Sequence, residues 1–199
     1  LKNAFPNPFF HRFHETLNSY HPVSQEITRQ FLDEFEPVSF KKGEVLLRQG
    51  EVCKHLYYIL KGGVRCFMLD ENGKEVNLHF YFEDELASEF KSLRTEEPSE
   101  RNLVAMVPTK ALKAAKPDYI PVLESNIEFM QAALRFFQEK FLQEEQHSEM
   151  LRKLSAEERY QHILSEQPHL LQRVSLTQLS SWLGLSRESL SRIRSKISS

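Results

Sequence analysis

Ser175–Lys196 restricts this chain most, because two helix starts and one helix stop are written into it at fixed spacing. Ser175 is a good N-cap, and Gln178 three residues on completes a capping box. Leu176, Leu179, Trp182 and Leu183 then recur at helical spacing as one apolar face. Gly184 takes the left-handed conformation that ends a helix at little cost. Ser186 caps again, and Leu190, Ile193 and Ile197 form a second buried stripe. Outside that stripe stand Arg187, Glu188, Ser189, Arg192, Arg194 and Lys196. A helix entering a DNA major groove needs this residue set: forked Arg donors for guanine, and hydroxyls and cations for phosphate.

The net charge of -2 looks unsuited to a polyanionic partner until it is divided along the chain. From Ser155 onward there are six Lys/Arg against four Asp/Glu, whereas the preceding residues carry twenty against twenty-four. Leu185–Ser199 alone has four basic residues and one acid, so contact with DNA is expected to be local to this end. A chain of 199 residues is long enough for one large domain or two modest ones. No apolar run reaches membrane-spanning length and residues 1–20 carry no secretion-signal pattern, which points to a cytoplasmic protein without a membrane partner. Cys53 and Cys66 lack metal-type spacing and fit reduced thiols.

Upstream the hydrophobic period changes twice. Within 1–37, Phe9, Phe10, Phe13 and Leu17, then Ile27, Phe31, Leu32 and Phe35, predict two short helices. From Val38 to about Ala115 the period falls to two. Val45 and Leu47, the run His55–Leu60, Val64 with Cys66 and Met68, Val76 with Leu78, Phe80 and Phe82, and Leu103 with Ala105 and Val107 mark short strands, and Leu112 and Ala114 follow. Asp70-Glu71-Asn72-Gly73 is a hairpin signal. Strands at this spacing predict an antiparallel barrel or sandwich. Glu83-Asp84-Glu85 and Glu96-Glu97 read as a solvated acidic rim.

Helical spacing returns over 117–154, where Ile127, Met130, Leu134, Phe137 and Phe141 form a stripe that Leu151 and Leu154 resume. A helix of nearly thirty residues would span roughly 40 Å. That length favours a dimer seam over a helix packed only within its own chain. Ser155-Ala156-Glu157-Glu158 is a further capping box and starts another helix, so 154–155 is a candidate hinge.

This order of parts resembles the CRP/FNR family of bacterial transcription regulators. The likeness is most specific at Leu183-Gly184-Leu185-Ser186-Arg187-Glu188-Ser189-Leu190-Ser191-Arg192-Ile193, which is similar to the family's recognition helix. It is weaker at Lys42-Gly43-Glu44 through Gln49-Gly50 and at Tyr58–Arg65, similar to the family's cyclic-nucleotide-binding β-roll. The resemblance implies an α+β fold. Residues 1–116 would hold N-terminal helices and a jelly-roll-like antiparallel β-roll of sensor type, 117–154 the dimerisation helix, and 155–199 a helix-turn-helix. It implies Arg187, Glu188 and Arg192 as base readers. Ser175, Thr177, Ser186, Ser189, Arg194 and Lys196 would meet phosphates. Double-stranded DNA, a second copy of the chain and RNA polymerase are the expected partners.

Two departures from the family pattern carry weight. Little chain is available for the β-hairpins that flank the family's helix-turn-helix, so the wings are expected to be reduced or absent. The family's nucleotide cassette, a Gly-Glu pair followed about ten residues on by Arg and a small or hydroxyl residue, corresponds here to Ser88-Glu89 and then Ser99-Glu100-Arg101. A carboxylate in place of the phosphate-binding pair repels a phosphodiester. Ser88, Glu89, Ser99, Glu100 and Arg101 are therefore expected to form a degenerate ligand pocket that does not bind cyclic AMP tightly. No cofactor is predicted and the effector is unknown.

Other chemistry finds no set of residues to carry it. His11 and His14 share a helix side, and His55 and His79 lie on predicted strands, but none has a ligand partner at metal spacing. Two cysteines fall short of the four that an iron–sulfur sensor needs. No nucleophile motif or phosphate loop is present, so an enzyme is not expected. The remaining alternative is a β-roll sensor or protein-interaction module that does not bind DNA.

Overall fold

The structure, a computed structural model, describes residues 7–197; the ends of the expected segments 1–116 and 155–199 lie outside that range. Helices α1 (Asn7–Tyr20) and α2 (Gln25–Leu32) precede the strands, as the aromatic spacing predicts. Ser24 caps α2 by accepting from the Ile27 N–H at 3.3 Å.

Eight strands follow: β1 (Glu36–Phe40), β2 (Val45–Leu47), β3 (His55–Lys61), β4 (Val64–Leu69), β5 (Glu75–Tyr81), β6 (Leu86–Ala87), β7 (Asn102–Ala105) and β8 (Thr109–Ala115). They form two four-stranded sheets, ordered β1-β8-β3-β6 and β2-β7-β4-β5. Pairing is antiparallel, with Tyr58 opposite Leu112 and Cys66 opposite Leu103. This is the expected double-sheet roll. Gly62, at φ +102°, is the residue its turn demands, because a Cβ there would lie 2.7 Å from the Pro108 carbonyl oxygen.

Several local expectations need correction. A helix, α3 (Phe90–Thr95), stands between the two acidic clusters, where the sequence analysis names no element. It forms because the buried Glu89 caps it, accepting from the Ser92 N–H at 2.8 Å. Glu83-Asp84-Glu85 is not a solvated rim: Glu83 accepts from the Gly62 N–H at 2.8 Å, Asp84 from the Tyr58 hydroxyl at 2.7 Å, and Glu85 from the Phe82 N–H at 2.8 Å. These carboxylates tie neighbouring turns together. Val107 lies beyond the end of β7 and is exposed.

The helical stretch after β8 is broken into α4 (Lys116–Glu124) and α5 (Ile127–Lys153). Asn126 starts α5 afresh, its side-chain oxygen accepting from the Glu128 and Phe129 N–H groups. Four more helices follow: α6 (Ala156–Glu166), α7 (Pro168–Arg173), α8 (Leu176–Trp182) and α9 (Arg187–Ile197). Helix α7 fills the stretch between α6 and α8, where the sequence analysis names no element.

Contacts divide the chain into two units, Leu1–Phe67 with Phe80–Glu139, and Met68–His79 with Lys140–Ser199. In the first, Phe31 is the hub of an aromatic core. Its ring centroid lies 5.8 Å from Phe13, 5.0 Å from Phe35, 5.9 Å from Tyr119 and 4.5 Å from Phe129. Edge-to-face and offset pairs of this kind add about 0.5–1.5 kcal/mol each beyond their buried area. The second unit centres on Met150, Tyr160, Ile163, Leu170, Leu179, Trp182, Leu183 and Leu190.

Helix α5 has two apolar faces. Phe129, Ala132 and Phe136 are buried within the chain. The predicted stripe lies on the other face: Ile127, Met130, Leu134, Phe137 and Phe141 are exposed, Leu134 at 59% and Phe141 at 67%. Their spacing of three and four alternately is a heptad a/d pattern.

Candidate nucleic-acid interface

The C-terminal helices are set by local hydrogen bonds that the sequence spells out. Ser155 and Ser175 both make full capping boxes, with Glu158 and Gln178 respectively. The Ser155 N–H donates to Glu158 at 2.8 Å and the Ser175 N–H to Gln178 at 3.2 Å. Backbone and hydroxyl of Ser155 hold the Glu158 carboxyl below the ordinary carboxylate range. Helix α8 stops at Leu183, and Gly184 follows at φ +66°. The Leu185 N–H then returns to the Ser180 carbonyl at 2.8 Å, which closes the turn into α9. Ser186 caps α9 by accepting from the Ser189 N–H at 3.1 Å.

Leu190 is fully buried, and Ile193 and Ile197 are partly so. That stripe fixes which side of α9 faces outward. Arg187, Glu188, Ser191, Arg192 and Ser195, together with Leu176 from α8, line one shallow concavity of about 570 Å³. The three side chains predicted as base readers thus share a single outward face. Glu188 is held below the usual carboxylate range, first by its own backbone N–H and next by the Ser186 hydroxyl, with Arg187 and Arg192 adding to it. It is an anion and an acceptor at neutral pH, between two forked donors.

The predicted phosphate contacts are more varied. Ser175, Thr177, Ser186, Ser189, Arg194 and Lys196 are all exposed. Ser175 and Ser186 already spend their hydroxyls on capping. Lys196 is paired with Glu157 at 2.8 Å, which ties the end of α9 to the start of α6. An exposed pair of this kind is worth about 0–1 kcal/mol and yields readily to a phosphate. Among the described residues of 155–197 every element is a helix, and α7 stands where a flanking hairpin would precede α8.

Helix α8 has its own anchor within this unit. The Trp182 indole N–H donates to the Leu78 carbonyl at 3.1 Å, the Ser181 hydroxyl donates to Glu75 O at 2.9 Å, and the Asn77 N–H donates to Ser181 Oγ at 3.0 Å. On its other side the His147 ring stacks on Trp182 at 4.2 Å with an 11° interplanar angle. Burial depresses the His147 pKa, opposed by its bond to the Trp182 backbone and by Glu144, and assisted by His79. The unfolded chain takes up a proton at His147 near pH 6.5, whereas the folded protein resists it until lower pH. Stability therefore rises with pH through this window and falls below it. Thermal unfolding is expected to show the midpoint dropping below about pH 6.5. His147→Phe, which keeps a ring on Trp182, should flatten part of that fall, with His55, also depressed by burial, responsible for another part.

The residues of the expected nucleotide cassette are bonded to other groups of the chain. Ser88, Glu89 and Ser99 are buried, whereas Glu100 and Arg101 are exposed. Ser88 donates to the His55 carbonyl at 2.9 Å, and Ser99 accepts from the Arg101 N–H at 3.0 Å. Glu89 caps α3, and Glu100 pairs with Lys91 at 3.2 Å. Cys53 and Cys66 are free thiols. Among the described residues no group of three or more His, Cys, Asp or Glu could hold a metal ion. No helix of the described residues is long and apolar enough to cross a membrane.

Residues 37–126 match the family model of the cyclic nucleotide-binding domain. No curated protein sequence matches the chain. Among solved structures it is similar to FixK2 from Bradyrhizobium japonicum, with 17% identity over 82% of this chain and 84% of that one at a TM-score of 0.70. It is similar to the c-di-GMP-responsive global regulator CLP of Xanthomonas campestris, with 18% identity over 88% and 92% at 0.71. The catabolite activator protein of Thermus thermophilus gives 23% identity over 92% and 86% at 0.58. The likeness is one of fold. The chain shares the α+β architecture of these structures, with a β-roll, a long helix and C-terminal helices.

Proposed function

We propose that this protein is a homodimeric, cytoplasmic transcription regulator of the CRP/FNR type that reads a pseudo-palindromic DNA site and catalyses no reaction. In this reading residues 1–116 are the sensory part, 117–154 the dimer helix and lever, and 155–199 the reading head. The observation that carries it is the single outward face of α9, where Arg187, Glu188 and Arg192 stand together over a shallow concavity. Arg187 and Arg192 fork onto guanine O6 and N7, and Glu188 accepts from a cytosine amino group. Ser175, Thr177, Ser186, Ser189, Arg194 and Lys196 meet the flanking phosphates. The exposed heptad stripe of α5 joins two copies and gives the two-fold symmetry that half-sites about 10 bp apart require. RNA polymerase is the further partner this role implies. Selection from a random duplex library at low salt tests the reading. Enrichment of a palindrome, bound with a steep salt dependence, is the expected outcome. No enrichment would leave the β-roll as a protein-interaction module.

Cyclic AMP is not the controlling ligand in this reading. Glu89 is committed to α3, Ser99 to its own turn, and the Glu100 carboxylate to Lys91. Titration calorimetry with cyclic AMP should give no binding in the low-micromolar range; affinity there would contradict this assignment.

A further inference from the structure

We infer that Arg159 is a positioning residue that fixes the angle between the end of α5 and the helix-turn-helix, and thereby the half-site spacing the dimer selects. The inference rests on the DNA-reading proposal above.

The guanidinium of Arg159 spends its donors on three carbonyls. Nε donates to Leu154 O at 3.0 Å, Nη2 to Leu151 O, and Nη1 to Leu183 O at 2.9 Å. Leu151 belongs to the last turn of α5 and Leu154 follows it directly, where carbonyls lack partners along the helix. Leu183 is the C-cap of α8, immediately before the turn glycine. One cation therefore sits at the negative ends of two helices, a favourable place for positive charge. It bridges elements far apart in sequence at the two-residue joint 154–155. Ser155 already caps α6, so α6 starts with no slack beyond that joint.

A planar fork fixes three directions at once, which a lysine ammonium on a flexible stem does not. Ser155 holds only α6; the His147 ring, from α5, stacks on Trp182 and ties α5 to α8 one turn and more before the joint, without reaching the turn glycine. Arg159 touches the end of α5 and the turn of the helix-turn-helix together, and Gly184 leaves the room for it: a Cβ there would lie 3.3 Å from Nη1. In a dimer joined along α5, any change of tilt at this joint moves each α9 along the DNA, where successive base pairs are only about 3.4 Å apart. Arg159 itself is outside the concavity lined by Arg187, Glu188 and Arg192, so it makes no claim on a base.

The test uses the full chain as wild type, Arg159→Gln and Arg159→Lys, with folding followed by circular dichroism. Two readouts are taken. The first is binding to the selected site with its half-site separation changed by one or two base pairs, alongside a single half-site. Wild type should prefer one spacing by about tenfold or more, whereas R159Q should bind all spacings within about threefold and the single half-site as wild type does. The second needs no DNA: tryptic cleavage after Arg152 and Lys153 should be faster in R159Q by about tenfold, with R159K intermediate. If R159Q does not fold, R159K carries both comparisons. Retained spacing preference with unchanged cleavage overturns the inference, as does equal loss on the single half-site, which would make Arg159 a DNA contact. If wild type binds no site while the cleavage rates diverge, the clamp stands and the DNA-reading proposal fails instead.

Discussion

Replacing Arg187 by alanine is expected to cost about 1–3 kcal/mol on the selected site, roughly five- to 150-fold in affinity, and to relax the base preference at one position in each half-site. Arg187 is the first residue of α9 and is exposed, beside Glu188 and across the concavity from Leu176. Recognition helices approach the groove with their N-terminal residues, so this side chain is placed for a bidentate bond to guanine. The folded state should be almost untouched, because Leu190, not Arg187, holds α9 in place. Equilibrium binding to duplexes carrying each single-base change in the site checks this. Equal loss on every sequence would make Arg187 a phosphate contact only.

The second large effect belongs to the seam. Leu134→Asp should leave the chain folded but monomeric, and should lower affinity for the full site by about a hundredfold or more while sparing the single half-site. Leu134 is 59% exposed in one chain, so a carboxylate there costs little before association. At a two-fold seam the same change buries two like charges without partners, a cost of several kcal/mol. Phe137 is a poorer choice because its ring also lies 5.2 Å from Phe90 within the chain. Sedimentation equilibrium and circular dichroism give the two readouts. A dimer that survives Leu134→Asp would move the seam off this face.

What the sequence made legible, and what it hid, follows from the range of the interactions involved. Ser155 with Glu158, Ser175 with Gln178, and Gly184 are decided within four residues, and all appear in the structure as read. The alternation of Val64 and Cys66 reports burial on one sheet face, which is also local. Helix α3 was hidden because its cap, Glu89, looks in sequence like any other acid in an acidic stretch. Glu83 and Asp84 misled for the same reason: their partners, Gly62 and Tyr58, lie over twenty residues away. The second face of α5 was missed because Phe129 and Phe136 sit beside the heptad stripe, and only the aromatic neighbours Phe31 and Tyr20 separate the two. Arg159 could not be singled out at all. It reads as one charge in a capping segment until the fold brings Leu151 and Leu183 to it.

The candidate reading face was the most legible part of the site. The buried stripe Leu190, Ile193 and Ile197 and the outward residues are complementary sets on one short helix, so naming one names the other. The cassette was legible only in part. Its positions came only from the family resemblance, and the internal use of Ser88, Glu89 and Ser99 depends on partners such as His55 that the sequence places far away.

The proposed dimer requires two copies of α9 to enter successive major grooves. Guanine-N7 methylation interference on the selected duplex, with the wild-type chain, tests this most directly. Two groups of interfering guanines, symmetric about the centre and about 10 bp apart, are predicted, with the group facing Arg187 losing its effect in the alanine variant. A single group, or interference spread evenly along the duplex, would contradict it.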